Sequence, residues 1–513
     1  MLVILCHFLS FFIESQSVDE IIERAEKYLP DYFFTKRGNF ENKSVFVDLL
    51  KKDLRYELIN IFDTIRKIDV LKIKSNIIED RVLNEETEAE NPTLFVRINS
   101  GGTTLTGDDL IYSIYKAIFP DTKNLIESIG VNFIAPTQVL SLISRIVASE
   151  LDNNCYIKKM NVRDFQRRIK NIDFKERLKK LRETKEIEKL FMQAINILSC
   201  EDNLLFEGKI PPVIIKQFIR KNQELFLFFV YWLHINNTEL TDKIKLKMVA
   251  KLLSFSWFEF GNIQRLWNEK ITNSLFWEEP LNELIWWTGQ DGIHFLIKPD
   301  LLREYYLQPQ IQNMFLESNE YRWGLWEEGV GQKIAEYYNN IKSQDFDTQV
   351  ANEYFWKFIG KIQYNKQIIL FAQRDYINSV FDDYNQMDDI EDTNVPWDWD
   401  HIYPNSWVYN MKYCENIIRE WNGTNGNFRA ISLEQNRREN DNVSPKERLE
   451  NLEIRGCSFV FENDWENWQK IDDRIWSKEK AVNHFQAITT RMINIYEKFW
   501  TDLKIKELIL ESE

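Results

Sequence analysis

The chain has 513 residues, 44% of them hydrophobic and 28% charged, with a formal net charge of −15. That length accommodates several domains of roughly 100–200 residues each, and the composition excludes both a multi-span membrane protein and a disordered chain. The acidic balance also argues against a protein that coats nucleic acid non-specifically, while leaving room for a local site beside the phosphate.

The 35 Phe, 20 Tyr and 17 Trp can be hidden only in a sizeable core. Glycine and proline are scarce at 16 and 12, which favours long helices over a Gly-rich barrel. The five cysteines, Cys6, Cys155, Cys200, Cys414 and Cys457, form no CxxC knuckle and read as reduced thiols of a cytoplasmic protein.

Residues 1–13, MLVILCHFLSFFI, have no preceding Lys or Arg and no small-residue cleavage site after them. They read as a buried helix rather than a secretion signal. No segment reaches the roughly 18 apolar residues of a membrane span, so no membrane partner is expected. Residues 15–90 carry apolar residues at helical spacing, with a short strand near 70–75 and an acidic loop over 79–93. LFVRI (94–98) alternates like a strand. Asn99, Ser100, Gly101 and Gly102 turn the chain, and Thr106 three before Asp109 forms a capping-box pattern that opens a helix.

Residues 125–381 hold long helical patterns. Within them Lys158–Lys189 has 13 Lys and Arg against 6 Asp and Glu; this run is either a solvated helix face or a nucleic-acid contact. A polar, acidic stretch ending in Pro396 follows, and a domain boundary is expected there. The chain closes on an amphipathic helix over 478–500.

Of the five histidines, His7, His234, His294 and His484 lie in apolar helical patterns and read as packed residues. His401 is different: it sits in Asp398-Trp399-Asp400-His401-Ile402-Tyr403-Pro404, with two carboxylates within three residues. Such a polar concentration among aromatics is a site signature. Asn427 opens a second strand, NFRAIS; Asn436 follows on a polar helix, with Asn440 one turn on. Successive strand residues point to opposite faces, so Asp400 and His401 can share one phosphate only where the strand ends.

This series resembles the HNH nucleases, and is particularly similar to the HNH domains of RNA-guided CRISPR effectors and of GmrSD-type restriction endonucleases. The resemblance covers roughly 398–445. It implies a ββα-metal finger in which Asp400 and Asn436 hold Mg²⁺ (or Mn²⁺) and His401 and Asn427 are the catalytic His and Asn, His401 being the general base. Asp398 and Asn440 support the site. Hard oxygen donors and a neutral imidazole suit phosphodiester hydrolysis. Upstream, Phe95, Arg97, Asn99 and Gly102 resemble the Phe-x-Arg-x-Asn-x-x-Gly element of the GmrSD-type N-terminal module, a ParB-like, nucleotide-handling fold. There Arg97, Asn99 and Gly102 would contact phosphate. The family's Asp-Gly-Gln-Gln-Arg motif is missing, so the sequence reads as an N-terminally truncated member with doubtful NTP binding.

The expected fold is α+β and predominantly helical. It comprises a partial ParB-like module over 1–124, a helical region over 125–381 and an HNH domain over 382–513. The expected activity is a metal-dependent DNA endonuclease that restricts foreign or modified DNA. The alternative is a non-catalytic nucleic-acid-binding or regulatory protein with a relic finger.

Overall fold

The computed structural model describes residue 15 and residues 17–28, 43–68, 107–119, 134–236, 238–258, 262–280, 296–306, 336, 357–381, 395–409, 416–438, 443–471 and 478–509. These residues are predominantly helical, and the sheet among them has two strands. Residues 1–13, the strand expected at 94–98 and most of the acidic stretch before Pro396 lie outside the described residues.

The chain divides into two compact units, Met1–Thr104 and Leu105–Glu513. In the first, α1 (Val18–Tyr28), α2 (Lys43–Lys51) and α3 (Arg55–Ile68) gather Ile21, Ile22, Ala25, Val47, Leu50, Leu58 and Phe62 into a small core. The three-to-four spacing of these residues puts them on one face of each helix.

The large unit begins with α4 (Gly107–Ile118), the helix that the Thr106 pattern anticipates. It continues through α5 (Pro136–Leu151), α6 (Val162–Ile169), α7 (Ile172–Glu183), α8 (Glu186–Ser199), α9 (Pro212–Lys221), α10 (Gln223–Ile235), α11 (Asp242–Trp257), α12 (Ile263–Lys270) and α13 (Pro299–Tyr306). Every residue of α10 from Leu225 to Trp232 is buried. A helix with no polar face belongs at the centre of a bundle, and around it Trp232, Trp267 and Trp277 are almost wholly enclosed.

After α14 (Lys366–Ala372) and α15 (Arg374–Val380) comes strand β1 (Trp397–His401). Then follow α16 (Asn405–Tyr409), α17 (Asn416–Asn422), strand β2 (Phe428–Ser432), α18 (Leu433–Arg438), α19 (Pro445–Arg448), α20 (Leu452–Cys457), α21 (Glu462–Gln469) and α22 (Lys478–Asp502). The closing helix expected over 478–500 is therefore present. It packs against α13, α14, α17 and α21.

The boundaries expected at 124 and 381 do not coincide with the units. Trp257 lies 5.2 Å from Phe499 and Phe258 lies 5.9 Å from Tyr496, ring centre to ring centre. Arg374, 1% exposed, pairs with Asp502 at 2.6 Å. The helical middle and the C-terminal segment thus share one core.

A charged cluster braces the bundle. Arg177 of α7 donates to Glu150 of α5 at 2.9 and 2.8 Å and to Glu186 of α8 at 3.2 Å, and His234 of α10 bonds Glu150 through Nε2. Burial works against the Glu150 charge, but the bonds from His234 and Arg177 outweigh it and hold the pKa at about 2. A carboxylate with a lowered folded pKa contributes stability that is present above its unfolded pKa and lost as pH falls towards the folded one. Glu150→Gln should therefore lower stability by up to about 3 kcal/mol at neutral pH. In urea melts across the acid range, this deficit should shrink from about pH 4.5 downward and vanish near pH 2. A deficit independent of pH would remove the charge from this account.

Candidate functional site

The site is built on the loop Trp421-Asn422-Gly423-Thr424-Asn425-Gly426-Asn427 that leads into β2. Arg491 of α22, wholly buried, reaches this loop. Its Nη1 donates to the carbonyls of Asn425 (3.0 Å), Gly426 (2.8 Å) and Phe428 (2.8 Å), and its Nε and Nη2 donate to Ser458 O (3.2 and 2.8 Å). Asn425 ties the loop to the chain before α14, donating through Nδ2 to Ile362 O (2.7 Å) and Asn365 O (2.9 Å). Gly426 lies so close to α22 that a Cβ there would stand 2.2 Å from Ile488 O. Only glycine allows this approach. Gly426→Ala should cost at least about 2 kcal/mol by overpacking, read as a lower urea midpoint at unchanged slope; an unshifted midpoint would mean that the loop is not clamped.

β1 and β2 pair antiparallel, with His401 opposite Phe428, Asp400 opposite Arg429 and Asp398 opposite Ile431. The free edge of β2 is covered by a side chain. Ala430 N donates to Gln373 Oε1 (2.9 Å), and Gln373 Nε2 donates to Ala430 O (3.1 Å). The glutamine amide thereby replaces a third strand and satisfies backbone groups that burial would otherwise orphan.

Asn427 is fully buried, and its amide is spent on the protein. Tyr403 N donates to its Oδ1 (2.7 Å), and its Nδ2 donates to Tyr403 O (3.1 Å) and to the carbonyl and side-chain oxygens of Asn422 (3.0 Å each). It pins the chain just past His401 to the start of β2. The structure shows Asn427, expected as a catalytic residue, as a brace between the Tyr403 backbone and the end of α17, with its amide oxygen and nitrogen both engaged within the protein.

His401 ends β1, its ring 4.3 Å from that of Phe428. Lys366 Nζ lies over the Phe428 and Trp399 rings at 4.1 and 4.8 Å. Burial lowers the His401 pKa to about 4; Asp400 opposes this, and Lys366 and Arg448 reinforce it. The imidazole is therefore neutral at neutral pH, the form that can accept a proton.

Asp400 is clasped. Arg429 Nε and Nη2 donate to its Oδ2, both at 2.8 Å, and Arg448 Nη1 donates to Oδ1 and Oδ2 at 2.6 and 2.7 Å. Arg429 and Arg448 are 0% and 2% exposed. Burial raises the Asp400 pKa, but the two guanidiniums outweigh it and hold the group below its ordinary range. Two residues back along β1, Asp398 Oδ2 accepts from Asn436 Nδ2 of α18 at 2.8 Å. Asp398 and Asp400 share one strand face and His401 has the other.

The expected divalent cation does not fit at Asp400, where two positive charges already occupy both oxygens. Asp398 and Asn436 suit it better in donor chemistry: one carboxylate and one amide oxygen, half-buried, are the hard donors that Mg²⁺ or Mn²⁺ takes alongside waters. Among the described residues no cluster of three or more His, Cys, Asp or Glu side chains could hold a metal ion. Arg97, Asn99, Gly102 and Asn440 lie outside the described residues.

Sequence reasoning passed over Arg429, Arg448, Lys366 and Arg491. Only Arg429 had a local signal, a charged residue in the middle of the apolar strand NFRAIS. The basic stretch Lys158–Lys189 is paired in part: Lys159 with Asp108, Arg167 with Asp164, Arg168 with Asp152, and Arg177 with Glu150 and Glu186. His484 is a packed residue as expected, wholly buried and edge-on to Tyr403 at 5.0 Å. His234, by contrast, belongs to the ion cluster with Glu150. No protein-family model, curated protein or solved structure matches the chain.

Asp400→Asn separates clasp from ligand. Removing the charge strands two buried guanidiniums and should cost about 3 kcal/mol or more in metal-free buffer. A variant as stable as the parent would return Asp400 to the role of metal ligand.

Proposed function

We propose that the β1–β2–α18 unit hydrolyses phosphodiester bonds in DNA, with His401 as the general base. The observation that carries the reading is the neutral His401, fixed at a strand end by Asn427, beside carboxylates, Lys366 and Arg448. The order strand, strand, short helix around Asp398, His401, Asn427 and Asn436 supports the resemblance to HNH nucleases. The likeness to GmrSD-type restriction endonucleases extends the proposal to restriction of foreign or modified DNA in the cytoplasm. No helix among the described residues is long and apolar enough to cross a membrane.

His401 would take a proton from the attacking water. Lys366, beside the His401 ring, would hold the phosphate against the strand end by charge. Asn427 keeps the imidazole in register through the Tyr403 backbone. Asp398 and Asn436, on the strand face away from the imidazole, would be the oxygen donors for Mg²⁺ or Mn²⁺, an ion that supplies charge relief to phosphate oxygens when bound.

A second reading, a finger that binds nucleic acid without cutting it, is favoured by the clasp of Arg429 and Arg448 on Asp400. Plasmid nicking with Mg²⁺ or Mn²⁺ distinguishes the two. The parent protein should nick. His401→Ala should lose roughly 100-fold or more with an unchanged melting temperature. Asn436→Ala should lose metal-dependent cleavage. Equal rates for parent and His401→Ala would sink the base assignment, and a parent that binds but never nicks would favour the second reading.

A further inference from the structure

One face of α8 lines a hollow of about 450 Å³. Lys189, Met192, Gln193 and Asn196 are exposed along it, with Ile197 and Cys200 buried behind them. Their three-to-four spacing turns all six the same way. The hollow therefore follows the helix for about 16 Å, from Lys189 in the first turns to Cys200 just past the last. Its apolar lining comes from Met192, Ile197 and Leu240.

Beside its far end stands an apolar knob. Leu204 is 91% exposed, and Leu205 next to it is exposed too. The loop that carries them is held firmly. Leu204 N donates to Asp242 Oδ2 at 3.2 Å, Asn203 Nδ2 donates to Asp242 O at 2.9 Å, and Leu205 N donates to Asn203 Oδ1 at 2.9 Å. The two ends also differ in charge. Exposed Glu201 and Asp202 lie at the knob end, where Lys245 is paired with Asp242 at 3.4 Å. Lys189 lies at the other end, where Glu186 and Glu188 are engaged by Arg177 and Lys185.

We infer that this surface is a two-fold interface between two copies of the chain, with α8 antiparallel to its counterpart. Leu204 of each copy enters the hollow of the other, and Asp202 of each faces Lys189 of the other. A knob and a hollow side by side on one face do not fill each other within one chain. A two-fold axis through the middle of α8 brings each to its complement, which is the isologous arrangement. Antiparallel pairing also lays the acidic end over the basic one, whereas a parallel pairing would set acid on acid and base on base. A partner of a single charge sign would answer only one end. Apolar groups at the centre and polar groups around them are the usual anatomy of such a contact, and the pinned loop has little order left to lose on docking. The surface lies on α8, outside the strand pair, so the inference does not rest on the nuclease reading.

Sedimentation equilibrium of the full-length protein, from low to high micromolar concentration, tests it. The parent should pass from monomer to dimer across this range. Leu204→Ser should raise the dimer dissociation constant roughly tenfold or more. Lys189→Glu and Asp202→Lys should each weaken the dimer severalfold. The double variant Lys189→Glu/Asp202→Lys should return it to near the parent value, because each pair re-forms with its signs exchanged. The three positions are exposed, so the monomer of every variant should keep the parent's far-UV circular dichroism. A monomer at every concentration overturns the inference. So does a dimer indifferent to Leu204→Ser, or a double variant no tighter than the single ones.

Discussion

The guanidinium of Arg491 is the contact on which the site depends. Five carbonyl bonds from one buried side chain fix Asn425, Gly426, Phe428 and Ser458 to α22. A buried arginine is costly unless its donors are satisfied, and here backbone oxygens at the start of β2 and the end of α20 satisfy them. Losing α22 would remove Arg491 and leave these carbonyls without their donor. Through this link the strand pair cannot form independently of the long helix, and the long helix is itself part of the central core. The segment 395–509 is consequently an elaboration of the bundle.

How much of this was legible in the sequence depends on the range of the interaction. Local pattern anticipated α4 after Thr106, the strands at Trp397–His401 and Phe428–Ser432, and α22. Each rests on period, capping or composition within a few turns. The spelling around His401 also anticipated that Asn427 would lie beside it, because the register places His401 opposite Phe428. Legibility failed where residues far apart in the chain meet. Arg448 is 48 positions from Asp400 and Arg491 is 65 from Gly426; nothing in their own neighbourhoods marks them. The clasp that sets Asp400 apart from Asp398 was hidden for the same reason. The two are equivalent by spacing, and only the distant arginines distinguish them.

The domain boundary expected near 382 illustrates the same limit. An acidic, polar stretch ending in proline is the ordinary signature of a linker, yet burial on either side of it is continuous. Arg374 before the stretch pairs with Asp502 after it, and Trp257 meets Phe499.

The distribution of charge answers the objection that so acidic a chain is ill suited to phosphate. The conspicuous basic stretch, Lys158–Lys189, spends part of its charge on neighbouring carboxylates. The positive charge that counts is internal. Around β1, Arg429 and Arg448 clasp Asp400, and Lys366 lies over the Trp399 and Phe428 rings on the His401 side. The Lys366 and Arg448 charges help burial to keep His401 neutral, and a field that disfavours a proton on imidazole favours an anion beside it. Enclosure by protein keeps that field from the screening that weakens surface patches in salt, so a net charge of −15 does not by itself exclude a local positive field within the chain.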